Sequence, residues 1–327
     1  MATVKDSVPH VVRTAHDQRQ QGLYSATIGR IEQVNSGIRL FRLYLDPEQT
    51  HFFQPPLRHL PGQYVDLHVP EIERVGGFTI TSPPQTALRL PAPTPSTTTP
   101  PTAATFDDPH IELAIQNSPS NPPAAYLWKP PAEIMNAPVR FRVGGNFTYP
   151  PLTLSRTEFE KVDNVVLIAG GVGINPIMSM ISAMDLQGAR KLGGMPRRLR
   201  MLYTSKRGID KDGRKEYVLF EERLRAIATK WENREKEVDM QYSFFETSLA
   251  TREKATAMDD APESSRLRVF ERRIQHEDLF GALGPEDERE HTLVYVCGLP
   301  DMTDGFVELL KKTPGMDEKR VFCEKWW

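Results

Sequence analysis

Two patterns of hydrophobic and polar positions divide the chain. From Tyr24 to about Phe147, short segments of alternating character are separated by turn residues: Ser25–Val34, Ile38–Leu45, Gln63–Val69, Phe78–Thr81, Ile111–Gln116 and Val139–Val143. Alternation puts every second side chain on one face of a strand, so six short segments of this kind predict an antiparallel barrel or sandwich. From Asn164 onward, apolar runs alternate with stretches of helical periodicity. Strands are expected at 164–169, 199–204, 239–245, 292–297 and 320–324, and helices over 176–187, 216–229, 273–282 and 301–312. That rhythm predicts a doubly wound parallel sheet. The division implies one domain over 23–155 and a second over 160–327.

Three segments fall outside both patterns. Residues 91–109 form a Pro/Thr tract that cannot build a core and is expected to be a disordered insertion between two strands. Residues 247–266 are rich in Arg, Glu, Asp and Lys with little apolar content, and read as a mobile loop. Residues 1–22 read either as a disordered tail or as a weak mitochondrial presequence, which leaves the mitochondrial matrix and the cytoplasm as expected locations.

Composition narrows the chemistry. At 327 residues the chain exceeds the size usual for one domain, in line with the two-part pattern. With 41 basic and 43 acidic residues and no basic stripe, it has no electrostatic footprint for nucleic acid. No apolar run is long enough to predict a membrane span. Two cysteines, Cys297 and Cys323, are too few for a Cys-ligated iron–sulfur cluster. The eight histidines form no H-x-x-H or H-x₃-H pair, so no metal site is expected, and no G-x-S-x-G elbow suggests a serine nucleophile.

One segment points to a ligand. Val165–Ala169 is an apolar run that turns through Gly170, Gly171, Val172 and Gly173 into Ile174, Asn175 and Pro176. Glycines let backbone N–H groups approach a phosphate, and Asn175 and Pro176 suit the cap and first turn of a helix whose N-terminus attracts anions. A dinucleotide pyrophosphate is the expected guest, although glycine turns of this kind also serve packing alone.

Further segments fall in order around this loop: Pro61-Gly62-Gln63-Tyr64-Val65, Gly76-Gly77-Phe78-Thr79-Ile80-Thr81-Ser82-Pro83, Val296-Cys297-Gly298-Leu299-Pro300-Asp301-Met302 and the terminal Phe322-Cys323-Glu324-Lys325-Trp326-Trp327. Together they resemble the ferredoxin–NADP reductase superfamily over nearly the whole chain after residue 24. The resemblance implies an N-terminal antiparallel six-stranded flavin-binding β-barrel followed by a doubly wound parallel-sheet NAD(P)-binding domain. It implies FAD, or the smaller FMN, on the barrel, and NADH or NADPH as the hydride donor.

Residue roles follow from the same resemblance. Gly170, Gly171, Val172, Gly173, Asn175 and Pro176 would cradle the nicotinamide dinucleotide. Cys297 would lie beside the nicotinamide, with Gly298 and Met302 next to it. Phe78 would stack on the flavin, Thr79 would bond its N5, and Ile80 would flank them. Glu324 would help position the nicotinamide while Trp326 gates stacking, so that Thr79, Cys297, Glu324 and Trp326 form the catalytic set. Thr204, Ser205 and Arg207 would read the adenosine ribose. With Lys206 they lean toward NADPH, since no acidic residue lies in that stretch.

The chain departs from the family at the flavin phosphates. Gly76 stands where the family has an arginine, Gln116 where a lysine is frequent, and Asn121-Pro122-Pro123-Ala124-Ala125 where a Gly-x-x-Ser turn is usual. Arg74 and Arg58 are the candidates to compensate. The expected function is a flavin-dependent NAD(P)H oxidoreductase that passes electrons to an external acceptor, whether a protein, a haem or a quinone. The alternative is a non-catalytic nucleotide-binding or interaction protein on the same scaffold.

Overall fold

The computed structural model describes residues 9–46, 57–88, 108–187, 196–232, 238–247 and 266–325. The expected 91–109 insertion and 247–266 loop lie almost entirely outside these residues, as do Trp326 and Trp327.

Six strands make the first domain: β1 (Tyr24–Asn35), β2 (Ile38–Leu45), β3 (Tyr64–His68), β4 (Gly76–Thr79), β5 (His110–Gln116) and β6 (Pro138–Gly144). They pair antiparallel in the order β4-β3-β6-β1-β2-β5, and a bridge between Ile80 and Leu113 joins the two ends. Every second position of the alternating segments points inward. Ile28, Phe41, Leu43, Val65, Ile111 and Phe141 are fully buried there, each worth roughly 1.5–3 kcal/mol of transfer free energy.

In the second domain β7 (Asn164–Gly170), β8 (Arg198–Lys206), β9 (Asp239–Thr247), β10 (Leu267–Phe270), β11 (Thr292–Cys297) and β12 (Val321–Glu324) form a parallel sheet in the order β10-β9-β8-β7-β11-β12. All seven residues of β7 and all six of β11 are buried, as expected of strands covered on both faces. With short helices α1 (His10–Arg13), α2 (Pro122–Leu127), α3 (Pro131–Ile134) and α4 (Arg156–Phe159) preceding them, the covering helices are α5 (Ile174–Gln187), α6 (Glu221–Glu232), α7 (His276–Leu283) and α8 (Pro300–Lys311). Helices α5 and α6 pack on one face, α7 and α8 on the other. The strand order reverses direction at β7, which opens a crevice beyond the carboxyl ends of β7 and β11. No helix among the described residues is long and apolar enough to cross a membrane.

The structure corrects three expectations. The helix expected over 216–229 begins only at Glu221, because Val218, Leu219 and Phe220 form a buried turn and Phe220 takes a positive φ of 60°. Strand β10 was missed: its four residues are too few to show a period, and it is held by pairing with β9 and by the Phe270 ring stacked 4.8 Å from that of Phe245. Residues 9–22, read as part of a tail, are fastened to the barrel. His10 Nε2 and Arg19 Nε reach the buried Asp66 carboxylate at 2.9 and 2.6 Å, and the Tyr64 hydroxyl donates to Asp17 at 3.0 Å. Polar partners, not apolar periodicity, hold this segment, so its composition looked like that of a tail.

Candidate functional site in the interdomain cleft

A cleft of about 1120 Å³ separates the barrel from the parallel sheet. Its α/β wall is built on the glycine turn. Strand β7 ends at Gly170, and Gly171–Gly173 form a single 3₁₀ turn that runs directly into α5. A side chain at Gly173 would strike the Cys297 carbonyl oxygen, 2.2 Å from its Cβ position, and one at Gly298 would meet Met302 at 2.3 Å. These glycines let the ends of β7 and β11 pack closely. Gly171 differs. It has a φ of +54°, and nothing lies within 4 Å of where its Cβ would be, so its backbone faces the open cleft. An exposed turn at the start of a 14-residue helix is a ready site for a phosphate group.

Asn175 does not cap the helix, as the sequence suggested. It lies inside α5, and its Nδ2 donates to the Ala114 carbonyl of the barrel at 3.0 Å. Its Oδ1 is buried without a partner among the described residues while the side chain lines the cleft. Pro176 lies in the first turn of α5 but does not reach the cleft lining.

At the other end of this wall, Thr204, Ser205 and Lys206 line the cleft. Arg207 does not: its Nε and Nη2 bond Glu246 and Glu221, both at 2.7 Å. Burial works against its charge, but these two hydrogen bonds outweigh that and raise its pKa. An acid here could not be foreseen from the strand-end residues, because Glu216 is distant from them in the chain. The 209–215 turn brings it back, so that it lines the cleft and its Oε1 accepts the Ser36 N–H at 2.8 Å.

On the barrel wall, Phe78 and Thr79 line the cleft together with Gly77, Gln116, Ser118 and Asn121. Ile80 does not, being fully buried in the barrel core. Gly76 is closed off, since a Cβ there would lie 2.5 Å from the Phe78 ring and 2.7 Å from Pro123. Neither Arg74 nor Arg58 lines the cleft. Arg13 of α1 does, and the charge of Glu324 acts on it. Sequence reasoning missed Arg13 together with the whole N-terminal segment.

Of the described members of the expected catalytic set, Thr79, Cys297 and Glu324, only Thr79 lines the cleft. The Cys297 thiol is buried in the sheet–helix core, and burial pushes its pKa well up. It is the carbonyl of Cys297, not its sulfur, that approaches the glycine turn. Glu324 ends β12 in register with Cys297, at the cleft margin marked by Arg13. Trp326 lies outside the described residues.

No known family model matches the sequence. The chain is 27% identical to "Oxidoreductase NAD-binding domain-containing protein 1" of Danio rerio over 99% of its own length and 100% of that protein's. To the Homo sapiens protein of the same name it is 25% identical, over 99% of this chain and 86% of the other. Among solved structures, the flavohem-like FAD/NAD-binding domain of the nitric oxide dioxygenase from Vibrio cholerae matches with a TM-score of 0.55 at 14% identity, covering 93% of this chain and 98% of that one. The CS-b5R domains of human Ncb5or in the NAD+ form match with a TM-score of 0.54 at 18% identity, covering 94% and 71%. In sequence, then, the chain is similar along its whole length to the proteins named oxidoreductase NAD-binding domain-containing protein 1, and its fold is that of the ferredoxin reductase-like FAD/NAD-binding proteins.

Proposed function

We propose that the protein is an NAD(P)H-dependent flavin oxidoreductase, taking a hydride from the nicotinamide and passing electrons to an external acceptor of protein, haem or quinone type. What carries this reading is that one cleft joins the open backbone of Gly171 to the Phe78-Thr79 pair of the facing barrel. The residues present fit a dinucleotide on the α/β wall: an open glycine backbone at a helix N-terminus, the unpartnered Oδ1 of Asn175, and Lys206 at the far end. They fit a flavin ring on the barrel wall, where Phe78 offers an aromatic face and Thr79 a hydroxyl. The relatives' names refer to NAD binding and the matched structures to FAD and NAD, which agrees with this pairing.

The flavin supplies the hydride chemistry when bound. The chain's own residues do the rest. Gly170–Gly173 and α5 hold the nucleotide phosphates, Met302 and Gly298 bound the nicotinamide end, and the two walls bring donor and acceptor rings together away from bulk water. Glu324 and Arg13 place opposite charges near that margin, each within the other's electrostatic reach. Anaerobic mixing of the purified protein with flavin and either NADH or NADPH tests the assignment. Loss of the oxidised flavin band, at about 450 nm, supports a reductase in which the cofactor carries the redox step. Nucleotide binding with no flavin reduction would instead favour a nucleotide-binding protein without catalysis.

A further inference from the structure

The two walls of the cleft differ in charge. From the 35–38 hairpin, strand β4 and the 114–124 segment, the barrel presents only neutral side chains to the cleft. The charged lining residues of the facing wall are Lys206, Arg273, Glu216 and Asp301. Among the described lining residues the barrel side carries one cation, Arg13 of α1, whose charge burial disfavours and the Glu324 carboxylate favours. Helix α2 opens on Pro122 and Pro123, which have no N–H to offer an anion. The space beside Gly76 is filled by the Phe78 ring and Pro123. The cations beside that helix lie at its far end: Arg39 donates to the Leu127 and Lys129 carbonyls and lies over the Trp128 ring, and Lys129 lies over the Tyr126 ring and reaches Glu71 at 3.6 Å.

Resting on the proposed reductase reading, we infer that the barrel recognises the isoalloxazine ring of a flavin and that its described residues build no anchor for the phosphates, so that the flavin is an exchanging co-substrate and not a resident group. Desolvating a pyrophosphate against a neutral wall is unfavourable without charge-assisted partners, whereas an uncharged ring loses little. Riboflavin, FMN and FAD therefore bind alike. In the reaction, the hydride leaves C4 of the dihydronicotinamide for flavin N5 and a proton from water adds at N1. NAD(P)H is oxidised to NAD(P)+, and the released dihydroflavin carries both electrons to the next acceptor.

Equilibrium titrations of riboflavin, FMN and FAD, followed by quenching of flavin fluorescence at low and high salt, test this on the full chain. The expected result is three dissociation constants within about threefold of one another, changing little with salt because no phosphate is paired to a cation. Phe78→Leu should weaken all three by the same factor, roughly fivefold to tenfold, through lost ring stacking. Phe78→Tyr, which keeps the aromatic face, should restore them and shows that the fold is not at issue. FAD binding at least thirtyfold tighter than riboflavin, or steep salt dependence for FAD alone, would overturn the inference and leave the reductase reading standing. Failure of every flavin to bind while NADH still binds would overturn both.

Discussion

Arg223 of α6 and Glu112 of β5 form a two-pronged ion pair between the domains, with Nη1–Oε1 at 2.6 Å and Nη2–Oε2 at 2.9 Å. Glu112 is 5% exposed and also accepts from the Thr81 hydroxyl at 3.1 Å. The pair lies behind the cleft, and with the Ser179–Ser82, Asn175–Ala114 and Tyr295–Thr148 hydrogen bonds it fixes the spacing of the two walls. The hydride transfer proposed for the cleft would tolerate little error in that spacing.

Removing the cation leaves a buried carboxylate short of its main partner. Burial opposes the charge of Arg223, but the hydrogen bonds to Glu112 outweigh it and raise the Arg223 pKa. Arg223→Ala should cost about 1.5–3 kcal/mol, the range for hydrogen bonds to charged groups, measured by urea unfolding. An unchanged unfolding midpoint would mean that water replaces the pair without loss.

Much of this architecture was legible in the sequence. The switch from period-two alternation to strand–helix rhythm separates the antiparallel strands from the parallel ones, and the run from Val165 to Pro176 marks the unit of strand, glycine turn and helix. What pattern could not reveal was contact between residues far apart in the chain. Arg207 reads as a free cation until Glu221 and Glu246 fold against it. Glu216 reads as part of a helix until a turn carries it into the cleft, and Arg13 as part of a tail until Asp66 secures its neighbours. Burial of the Cys297 thiol is equally invisible, because a strand-end cysteine is placed inside or outside only by the helix packed on that face.

The N-terminal fastening is pH-dependent. Burial pushes the Asp66 pKa up, but the hydrogen bonds from His10 and Arg19 outweigh it and hold the pKa below the ordinary value. A depressed carboxyl pKa stabilises the fold above the unfolded value, near 3.9, and that contribution disappears as pH falls through the folded value. Hydrogen exchange in residues 9–22, corrected for intrinsic rates, should stay slow from neutral pH down to about 4 and become fast below it. Asp66→Asn should show fast exchange already at neutral pH. Equal protection in the variant and the parent would assign the segment's order to other contacts.

The glycines of the turn between β7 and α5 should separate binding from stability. Gly171→Asp places a carboxylate in open cleft, where it repels a phosphate, and should weaken NADH binding at least about tenfold, given 1.4 kcal/mol per decade. Its stability loss should be confined to the roughly 1–2 kcal/mol of a left-handed non-glycine residue. Gly173→Ala presses a methyl into the Cys297 carbonyl and should lose about 1–3 kcal/mol of stability by overpacking. Calorimetric titration and thermal unfolding of both variants check the contrast. It fails if Gly171→Asp binds NADH normally.

The coenzyme lean drawn from Thr204-Ser205-Lys206-Arg207 weakens once the partners are seen. Arg207 is committed to Glu221 and Glu246, and Lys215 also reaches Glu246, at 3.2 Å. The groups left facing a 2′-phosphate are Lys206 and Glu216, of opposite sign, so NADH should be used at least as well as NADPH. Lys206→Ala should shift kcat/KM further toward NADH, and Glu216→Gln toward NADPH, each by about fivefold, since one partly screened charge is worth roughly 1 kcal/mol. Arg207→Ala should lower the melting temperature through loss of both ion pairs and leave the NADH/NADPH ratio where it was. A ratio that collapses in Arg207→Ala would mean that the nucleotide draws the guanidinium away from its carboxylates on binding, and would restore the preference for NADPH.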